Sequence, residues 1–192
     1  MSKNDSYLKR NIPKIIITAI ILAVLIYVAF FWGNTEIRKR LSIEYEAQVK
    51  KYSQEYGLDE YFVYAIICAE SSFRADAQSS VGAKGLMQMM PETAKWLKEK
   101  YKMDIDENDL FDPDTNIRLG CQYIKYLNGR FDNDITLVLA AYNGGEGNVR
   151  KWLKSSIYSP DGKTLTNIPY KETANYVKKV STYYDLYKKI YQ

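Results

Sequence analysis

The sequence predicts an all-α protein in which one helical domain follows a single N-terminal transmembrane helix. Apolar residues recur at helical spacing in most segments of the chain. Several of these segments begin at an aspartate suited to the N-cap position, and one ends at a glycine. No segment shows the alternation of apolar and polar residues that is typical of a strand. A chain of 192 residues is long enough for one compact domain and an anchor.

The N-terminal anchor is predicted from composition. Residues 15–32 form an apolar run of 18 residues that follows a short basic tail, residues 1–14. No signal-peptide cleavage site clearly follows the run, which favours an uncleaved single span. Basic residues flank the run on both sides, so charge does not decide the orientation. Residues 33–56 are charged and helix-prone, and we expect a stalk that joins the domain as its first helix.

Residues 57–192 are predicted to form the domain, and its second helix carries the most unusual residue. Gly57 is expected to end the preceding helix, and Asp59 is a suitable N-cap for the next helix. Glu70 lies three, four and seven residues after apolar positions of this helix, so its carboxyl shares their inward face. Burial raises the pKa of a carboxyl, which a proton donor near neutral pH requires. Periodicity alone equally allows a structural ion pair.

A glycine-containing loop and a third helix follow Glu70. Ser79, Gly82 and Gly85 permit tight turns, and Pro91 is suited to the first turn of a helix that should run to about residue 101. The loop also contains Gln88 and three methionines. An amide and flexible thioethers near the carboxyl suit an amphipathic ligand such as a sugar.

The C-terminal half is predicted to contain three more helices. Asp112 and Asp134 are the expected N-caps of the first two, and Gly120 is expected to allow another helix to approach closely. The second should end after Tyr142, where Asn143 before two glycines is typical of a left-handed turn residue. Residues 155–170 are predicted to form a surface loop. The last helix should begin near Glu172 and bury five residues: Tyr176, Val177, Val180, Tyr184 and Tyr187.

Composition excludes several classes of function. The chain has no histidine, so neither a histidine-activated nucleophile nor a histidine metal site is available. Cys68 and Cys121 lie on helical patterns and are predicted to be buried thiols. We therefore expect no metal and no cofactor. The net charge of +4 includes no basic stripe with interleaved aromatic residues, so nucleic-acid binding has no support.

Four ordered sequence blocks resemble a known family. Glu70-Ser71-Ser72-Phe73 and the run from Ser79 to Pro91 are similar to the signature of the soluble-lytic-transglycosylase domain, glycoside hydrolase family 23. Residues 140–149 and 168–177 agree with it as well, so the resemblance covers about residues 45–190. It implies a lysozyme-like helical fold.

The resemblance also implies a function. A lytic transglycosylase cleaves the β-1,4 bond between N-acetylmuramic acid and N-acetylglucosamine in peptidoglycan glycan strands and leaves 1,6-anhydromuramoyl ends. By this resemblance Glu70 is the single general acid/base. The substrate-binding residues that it implies are Ser79, Gln88, Met90, Tyr142, Asn143 and Glu172. For Glu172, a charge that stabilises a helix N-terminus is the structural alternative. An enzyme of the cell wall would be anchored in the cell membrane with its domain on the extracytoplasmic side.

Three alternatives remain open at the level of sequence. A goose-type-lysozyme-like muramidase would use the same acid for hydrolysis if a second carboxylate, such as Asp76, positioned a water. A non-catalytic glycan-binding scaffold would keep the fold without the chemistry. A membrane-anchored helper of cell-wall, secretion, conjugation or sporulation machinery would differ in its partner rather than in its reaction.

Overall fold

The computed structural model describes residues 16, 18–28 and 41–192. They belong to two compact units, and the boundary between these units in the sequence falls between Ser42 and Ile43. In the first unit, residues 18–28 are helical with exposed side chains. The predicted tail, residues 1–14, and stalk residues 33–40 lie outside the described residues, as does part of the predicted span, residues 15–32. The part of the chain that is described contains no helix both long and apolar enough to cross a membrane.

The second unit confirms the all-α prediction. Outside its helices, the β-pairing within residues 43–192 is limited to two isolated bridges, which join Lys84 to Gln78 and to Met89. The helices of this unit are α1 (Glu46–Tyr56), α2 (Glu60–Glu70), α3 (Pro91–Tyr101), α4 (Pro113–Arg130), α5 (Ile135–Gly144), α6 (Glu146–Leu153) and α7 (Lys171–Tyr191).

The predicted helix boundaries are largely confirmed. The side chains of Asp59, Asp112 and Asp134 each accept a hydrogen bond of 2.8–2.9 Å from a backbone N–H in the first turn of α2, α4 and α5. Gly57 ends α1 in the left-handed conformation. Residues 155–170 form the expected loop, which is mostly exposed. Cys68 and Cys121 are buried, as predicted.

Helix α2 is more deeply enclosed than its apolar stripe indicates. All seven residues from Phe62 to Cys68 are buried, because α2 packs against both α1 and α7. A helix surrounded by other elements buries every face, whereas a surface helix buries one stripe. The chain therefore runs through the interior of the unit before it reaches Glu70.

The predicted end of α5 was wrong. Asn143 lies in the last turn of the helix rather than in a left-handed turn, and α5 continues to Gly144. The chain changes direction at Gly145, whose φ is 87°, and α6 follows at once. Glycines on both sides of residue 146 are typical of a loop, which is why the sequence did not predict α6.

Two smaller predictions also differ from the structure. Tyr184 is only half-buried, because its hydroxyl reaches the Asp59 carboxylate at 2.7 Å near the surface. Gly120 allows the close approach of a loop residue rather than of a helix: a Cβ at this position would lie 2.2 Å from the sulfur of Met87. The loop after α2 is thus packed directly onto α4.

Alanine substitutions at Gly85 and Gly57 test how closely the loop after α2 packs against Leu110 and Asn116. Both have a positive φ, 77° and 68°, so alanine at either position costs about 1 kcal/mol in backbone strain. A Cβ at Gly57 has no atom within 4 Å, but one at Gly85 would lie 2.2 Å from the Leu110 carbonyl oxygen and 2.3 Å from Asn116 Nδ2. We expect Gly85→Ala to lower the free energy of unfolding by about 3 kcal/mol or more, and Gly57→Ala by about 1 kcal/mol.

Urea denaturation of the two variants and the wild type measures the difference. Equal losses in the two variants would contradict the close approach of Gly85 to Leu110 and Asn116.

Candidate active site

Glu70 is the last residue of α2, and its carboxyl has an unusual acidity. Part of the residue surface remains exposed, but the surrounding protein excludes enough water from the carboxyl to raise its pKa from 4.5 to about 7. The Tyr176 hydroxyl and the Lys179 ammonium oppose this rise, whereas the negative charge of Glu172 adds to it. A carboxyl with a pKa near 7 is able to donate a proton and to take one back at neutral pH.

Tyr176 on α7 places a buried phenol beside this carboxyl. Its hydroxyl approaches Glu70 closely enough to lower the carboxyl pKa, yet it completes no hydrogen bond of normal geometry within the described residues. Burial, and then the charge of Glu70, hold the pKa of Tyr176 well above its usual value. Tyr176 is therefore a neutral donor next to the acid. The sequence assigned it to the core, although it belongs to the block of residues 168–177.

Lys179 attaches the same helix to the end of α2. Its Nζ donates a 2.6 Å hydrogen bond to the backbone oxygen of Ala69, the residue before Glu70. The last carbonyl groups of a helix have no partner within the helix, and a cation there also balances the helix dipole. This contact spans 110 residues of sequence, and nothing in the local pattern around Lys179 indicates it.

Tyr142 on α5 connects the acid to the loop. Its hydroxyl donates a 2.8 Å hydrogen bond to the Met87 carbonyl oxygen and lies 3.6 Å from the Met89 sulfur. Burial raises the pKa of Tyr142 well above its usual value, and the neighbouring charge of Glu70 raises it further. Tyr142 therefore remains protonated and fixes the loop at a point close to Glu70.

Gln88 and Ser79 hold the loop in shape. Gln88 has a φ of 48°, and its Nε2 donates to the carbonyl oxygens of Ala77 and Gly85 at 3.1 and 2.9 Å. Both amide hydrogens are used in this way, so Oε1 is the group left for a ligand. The Ser79 hydroxyl accepts a 3.0 Å hydrogen bond from the Ala83 N–H.

Asn116 on α4 holds the loop from the other side. It is fully buried. Its Oδ1 accepts a 2.7 Å hydrogen bond from the Met87 N–H, and its Nδ2 donates to the carbonyl oxygens of Lys84 and Leu110 at 2.9 and 2.7 Å. One side chain thus satisfies three backbone groups of segments that have no regular secondary structure.

Four of the predicted substrate-binding residues line one cavity of about 300 Å³, here called the reaction cavity. These are Gln88, Met90, Tyr142 and Asn143; its other walls are Met89, Thr93, Tyr123, Gly144 and Gly145. Ser79, Glu172 and Glu70 itself are not among these walls. The wall that lies near Glu70 is Tyr142, whose pKa the charge of Glu70 raises. Glu172 is exposed in the first turn of α7, where its charge also suits the helix N-terminus.

The surroundings of Glu70 also bear on the hydrolytic alternative. Asp76, the carboxylate considered for positioning a water, is exposed, and Glu172 is the acidic residue whose charge reaches Glu70.

The described residues include no group of three or more cysteine, aspartate or glutamate side chains placed to hold a metal ion.

Comparison with known proteins agrees with this architecture. The family described as "Transglycosylase SLT domain" matches residues 47–164. The soluble lytic murein transglycosylase of Escherichia coli K12 is 35% identical over 155 residues, which cover 79% of this chain and 24% of that protein. A putative soluble lytic murein transglycosylase of Haemophilus influenzae is 38% identical over 167 residues, 86% of this chain and 28% of that protein.

A solved structure shows the same fold. The crystal structure of the 70 kDa soluble lytic transglycosylase of Escherichia coli matches 78% of this chain and 25% of its own, with a TM-score of 0.70 and 33% identity. The lysozyme-like helical fold is thereby confirmed. The chain spans about a quarter of the length of these relatives.

The raised pKa of Glu70 predicts a pH-dependent cost in stability. Between pH 4.5 and about 7 the folded protein keeps a proton that the unfolded chain loses, so stability falls as pH rises through this window. The difference between the two pKa values corresponds to about 3 kcal/mol. We expect Glu70→Gln, which removes the titration, to match the wild type at pH 4 and to exceed its free energy of unfolding by up to about 3 kcal/mol at pH 8.

Urea denaturation of the full chain at the two pH values tests this expectation. Glu99→Gln, at an exposed position on α3, is the control and should show no such difference. A Glu70→Gln variant that is no more stable than the wild type at pH 8 would show that the carboxyl is well solvated.

Proposed function

Because the chain belongs to the transglycosylase SLT domain family, we propose that it is a membrane-anchored peptidoglycan lytic transglycosylase. It would cleave the β-1,4 bond between N-acetylmuramic acid and N-acetylglucosamine. The observation that carries the proposal is the Glu70 carboxyl, which lies at the end of an enclosed helix with a pKa of about 7. Tyr142 lies near this carboxyl, whose charge raises the pKa of the Tyr142 phenol, and it also lines the reaction cavity.

The proposed reaction needs one carboxyl. Glu70 donates its proton to the glycosidic oxygen as the bond from that oxygen to C1 of the muramoyl sugar breaks. The C6 hydroxyl of the same sugar attacks C1, forms the 1,6-anhydro bridge and returns its proton to Glu70. No water is consumed, and the acid is regenerated. Since the nucleophile is part of the substrate, proximity replaces the second carboxylate that other glycosidases use.

The surrounding residues would support both proton transfers. Tyr176 is a neutral donor that would stabilise the Glu70 carboxylate after it has given up its proton. The Gln88 Oε1 atom and the Asn143 amide would bind polar groups of the sugars, and Met90 would contact an apolar sugar face. The negative charge of Glu172 would favour the cationic transition state. Ser79 would contact the sugar from the loop that it stabilises.

Hydrolysis by the same acid is the second candidate. One observation favours it: Glu172 is a second carboxylate whose charge reaches Glu70, and such a group is able to position a water in an inverting glycosidase. Glycan binding without cleavage is the third outcome that the product experiment below distinguishes.

The location of the enzyme is proposed from the sequence. The apolar run of residues 15–32 would anchor the chain in the cell membrane as a single span, with the catalytic domain on the extracytoplasmic side, where peptidoglycan lies. Cell-wall, secretion or sporulation machinery would be a suitable partner for local opening of the wall. An alkaline-phosphatase fusion after Gln192 reports the orientation, and an inactive fusion would argue for a cytoplasmic domain.

Product analysis tests the reaction. The full chain and its Glu70→Gln variant are incubated with purified peptidoglycan, and the released muropeptides are analysed by mass spectrometry. We expect anhydromuramoyl ends, lighter by one water than reducing ends, from the wild type and a loss of at least about 1,000-fold in the variant. Reducing ends would identify a muramidase. Release by neither protein, with binding retained, would identify a glycan-binding scaffold.

The pH profile tests how α7 tunes the acid. Because catalysis begins with protonated Glu70, kcat/KM should fall as pH rises through about 7. Lys179 lowers the pKa of Glu70 and Glu172 raises it. The alkaline limb should therefore move to higher pH in Lys179→Met and to lower pH in Glu172→Gln, whatever the change in maximal rate. Lys178→Met, an exposed neighbour, is the control. If the alkaline limbs of Lys179→Met and Glu172→Gln moved in the same direction, this electrostatic role would be ruled out.

A further inference from the structure

The end of α6 and the loop after it form an exposed positive surface that has no part in the mechanism above. Residues 151–171 contain four lysines and one acid, so they carry a net charge of +3, whereas the whole chain carries +4. All four lysines are exposed: Lys151, Lys154, Lys163 and Lys171. Together with Ile157 and Tyr170 they are here called the basic surface. We propose that the basic surface docks the domain on an anionic lipid bilayer.

Ile157 is the apolar part of the basic surface. It is 76% exposed, more than any other large hydrophobic side chain that the structure describes. The Tyr170 ring is 50% exposed and rests edge-on against the Trp152 ring, with 5.1 Å between the centroids. A single exposed isoleucine needs no explanation. An exposed isoleucine and an exposed tyrosine among four lysines, however, are typical of a segment that lies in the boundary between water and lipid.

The backbone places two of the lysines and Ile157 on one side of the chain. Beyond α6, three backbone N–H groups between Lys154 and Tyr158 each donate to the carbonyl oxygen three residues earlier, at 3.0–3.2 Å. Turns closed in this way have three residues each, so side chains three positions apart point in the same direction. Lys151, Lys154 and Ile157 have this spacing. They therefore form one row in which two cations precede the apolar side chain.

The returning part of the loop is fixed beside this row. The Thr166 N–H donates to the Tyr158 carbonyl oxygen at 2.9 Å. The carboxylate of Asp161, the one acid of residues 151–171, accepts hydrogen bonds from the N–H groups of Lys163 and Thr164 at 2.8 Å each. No carboxylate that the structure describes forms an ion pair with a lysine of the basic surface. The surface thus keeps its positive charge in a fixed shape, which reduces the entropy lost on docking.

A bilayer matches both features of the basic surface, whereas a soluble anionic polymer matches only its charge. Near an anionic lipid surface each lysine strengthens attachment about fivefold. The isoleucine adds to attachment only where its side chain leaves water, as it does at the boundary of the lipid chains. Ile157 is therefore the residue that distinguishes the two partners.

The length of the proposed tether also favours a bilayer, and this step rests on the proposed membrane anchor. Ten residues, 33–42, separate the proposed span from the second unit in the sequence. A chain of ten residues reaches at most about 36 Å. The second unit would therefore meet the bilayer at a high effective concentration, so that a weak affinity is sufficient for docking.

Fluorescence at position 157 tests the docking. Cys68 and Cys121 are buried, so an environment-sensitive dye labels Ile157→Cys selectively in the full chain. The labelled protein is reconstituted into vesicles of phosphatidylcholine alone, or of equal parts phosphatidylcholine and phosphatidylglycerol. We expect a blue shift of the emission in the anionic vesicles only, and high salt should reverse it. Val81→Cys, at a position of similar exposure, 74%, is the matched control and should show no shift.

Paired lysine substitutions test the contribution of charge. In labelled protein, Lys151→Gln combined with Lys154→Gln should lower the ratio of docked to undocked protein in anionic vesicles about 25-fold, which is about fivefold for each lysine. Lys95→Gln combined with Lys189→Gln removes the same charge from exposed positions outside the basic surface and should leave the ratio unchanged.

Four results would overturn the inference. These are no shift in anionic vesicles, an equal shift in neutral vesicles, equal losses in the two pairs of lysine variants, or an equal shift when soluble polyphosphate is added to neutral vesicles. The last result would assign the basic surface to a soluble anionic polymer.

Flotation separates this inference from the proposed anchor. A full chain that floats with neutral vesicles is held by its span. If it floats in this way but the label at position 157 does not respond to anionic lipid, the anchor stands and the inference fails. If the chain floats only with anionic vesicles, and Lys151→Gln with Lys154→Gln reduces flotation, the basic surface docks on lipid and the proposed anchor is wrong.

Discussion

The desolvation of one carboxyl, that of Glu70, is the constraint on which the arrangement of the domain depends. Seven consecutive buried residues of α2 precede Glu70 closely, so its carboxyl lies at the edge of the core rather than at the surface. Burial alone would raise the pKa of this carboxyl further. The Tyr176 hydroxyl and the Lys179 ammonium limit the rise, and the pKa stays near 7. The same desolvation that weakens the fold at high pH makes the acid useful at neutral pH.

The reaction cavity depends on a second set of buried polar contacts. Its loop has only isolated bridges in place of regular secondary structure, so side chains from the surrounding helices hold its backbone. Asn116 binds it from α4, and Tyr142 binds it from α5. Both reach Met87, which in turn fills the space that Gly120 leaves open on α4. Loss of any one of these contacts would leave a buried backbone group unpaired and move the wall that carries Gln88.

The sequence predicted those features that depend on neighbouring residues and missed those that depend on distant ones. Asp59, Asp112 and Asp134 were predicted as N-caps because a cap binds the backbone two or three residues away. The position of Glu70 followed from the spacing of its own helix. The bonds from Asn116 to Met87 and from Lys179 to Ala69 span 29 and 110 residues, and no local pattern encodes such a distance. Helix α6 was missed because Gly145 and Gly147 are typical of a loop. Its packing against α5, which the local sequence does not show, stabilises the helix.

Helix α7 shows why a single carboxyl is suited to both halves of the proposed reaction. Glu172 and Lys179 are seven residues apart, two turns along the same face of α7, and their charges act on Glu70 in opposite directions. An enzyme with two catalytic carboxyls separates their pKa values so that one is an acid and the other a base. An enzyme with one carboxyl needs a pKa close to the working pH, because the same group first gives a proton and then accepts one. The opposed charges on α7, added to the desolvation of Glu70, hold the pKa of this carboxyl where both steps are possible.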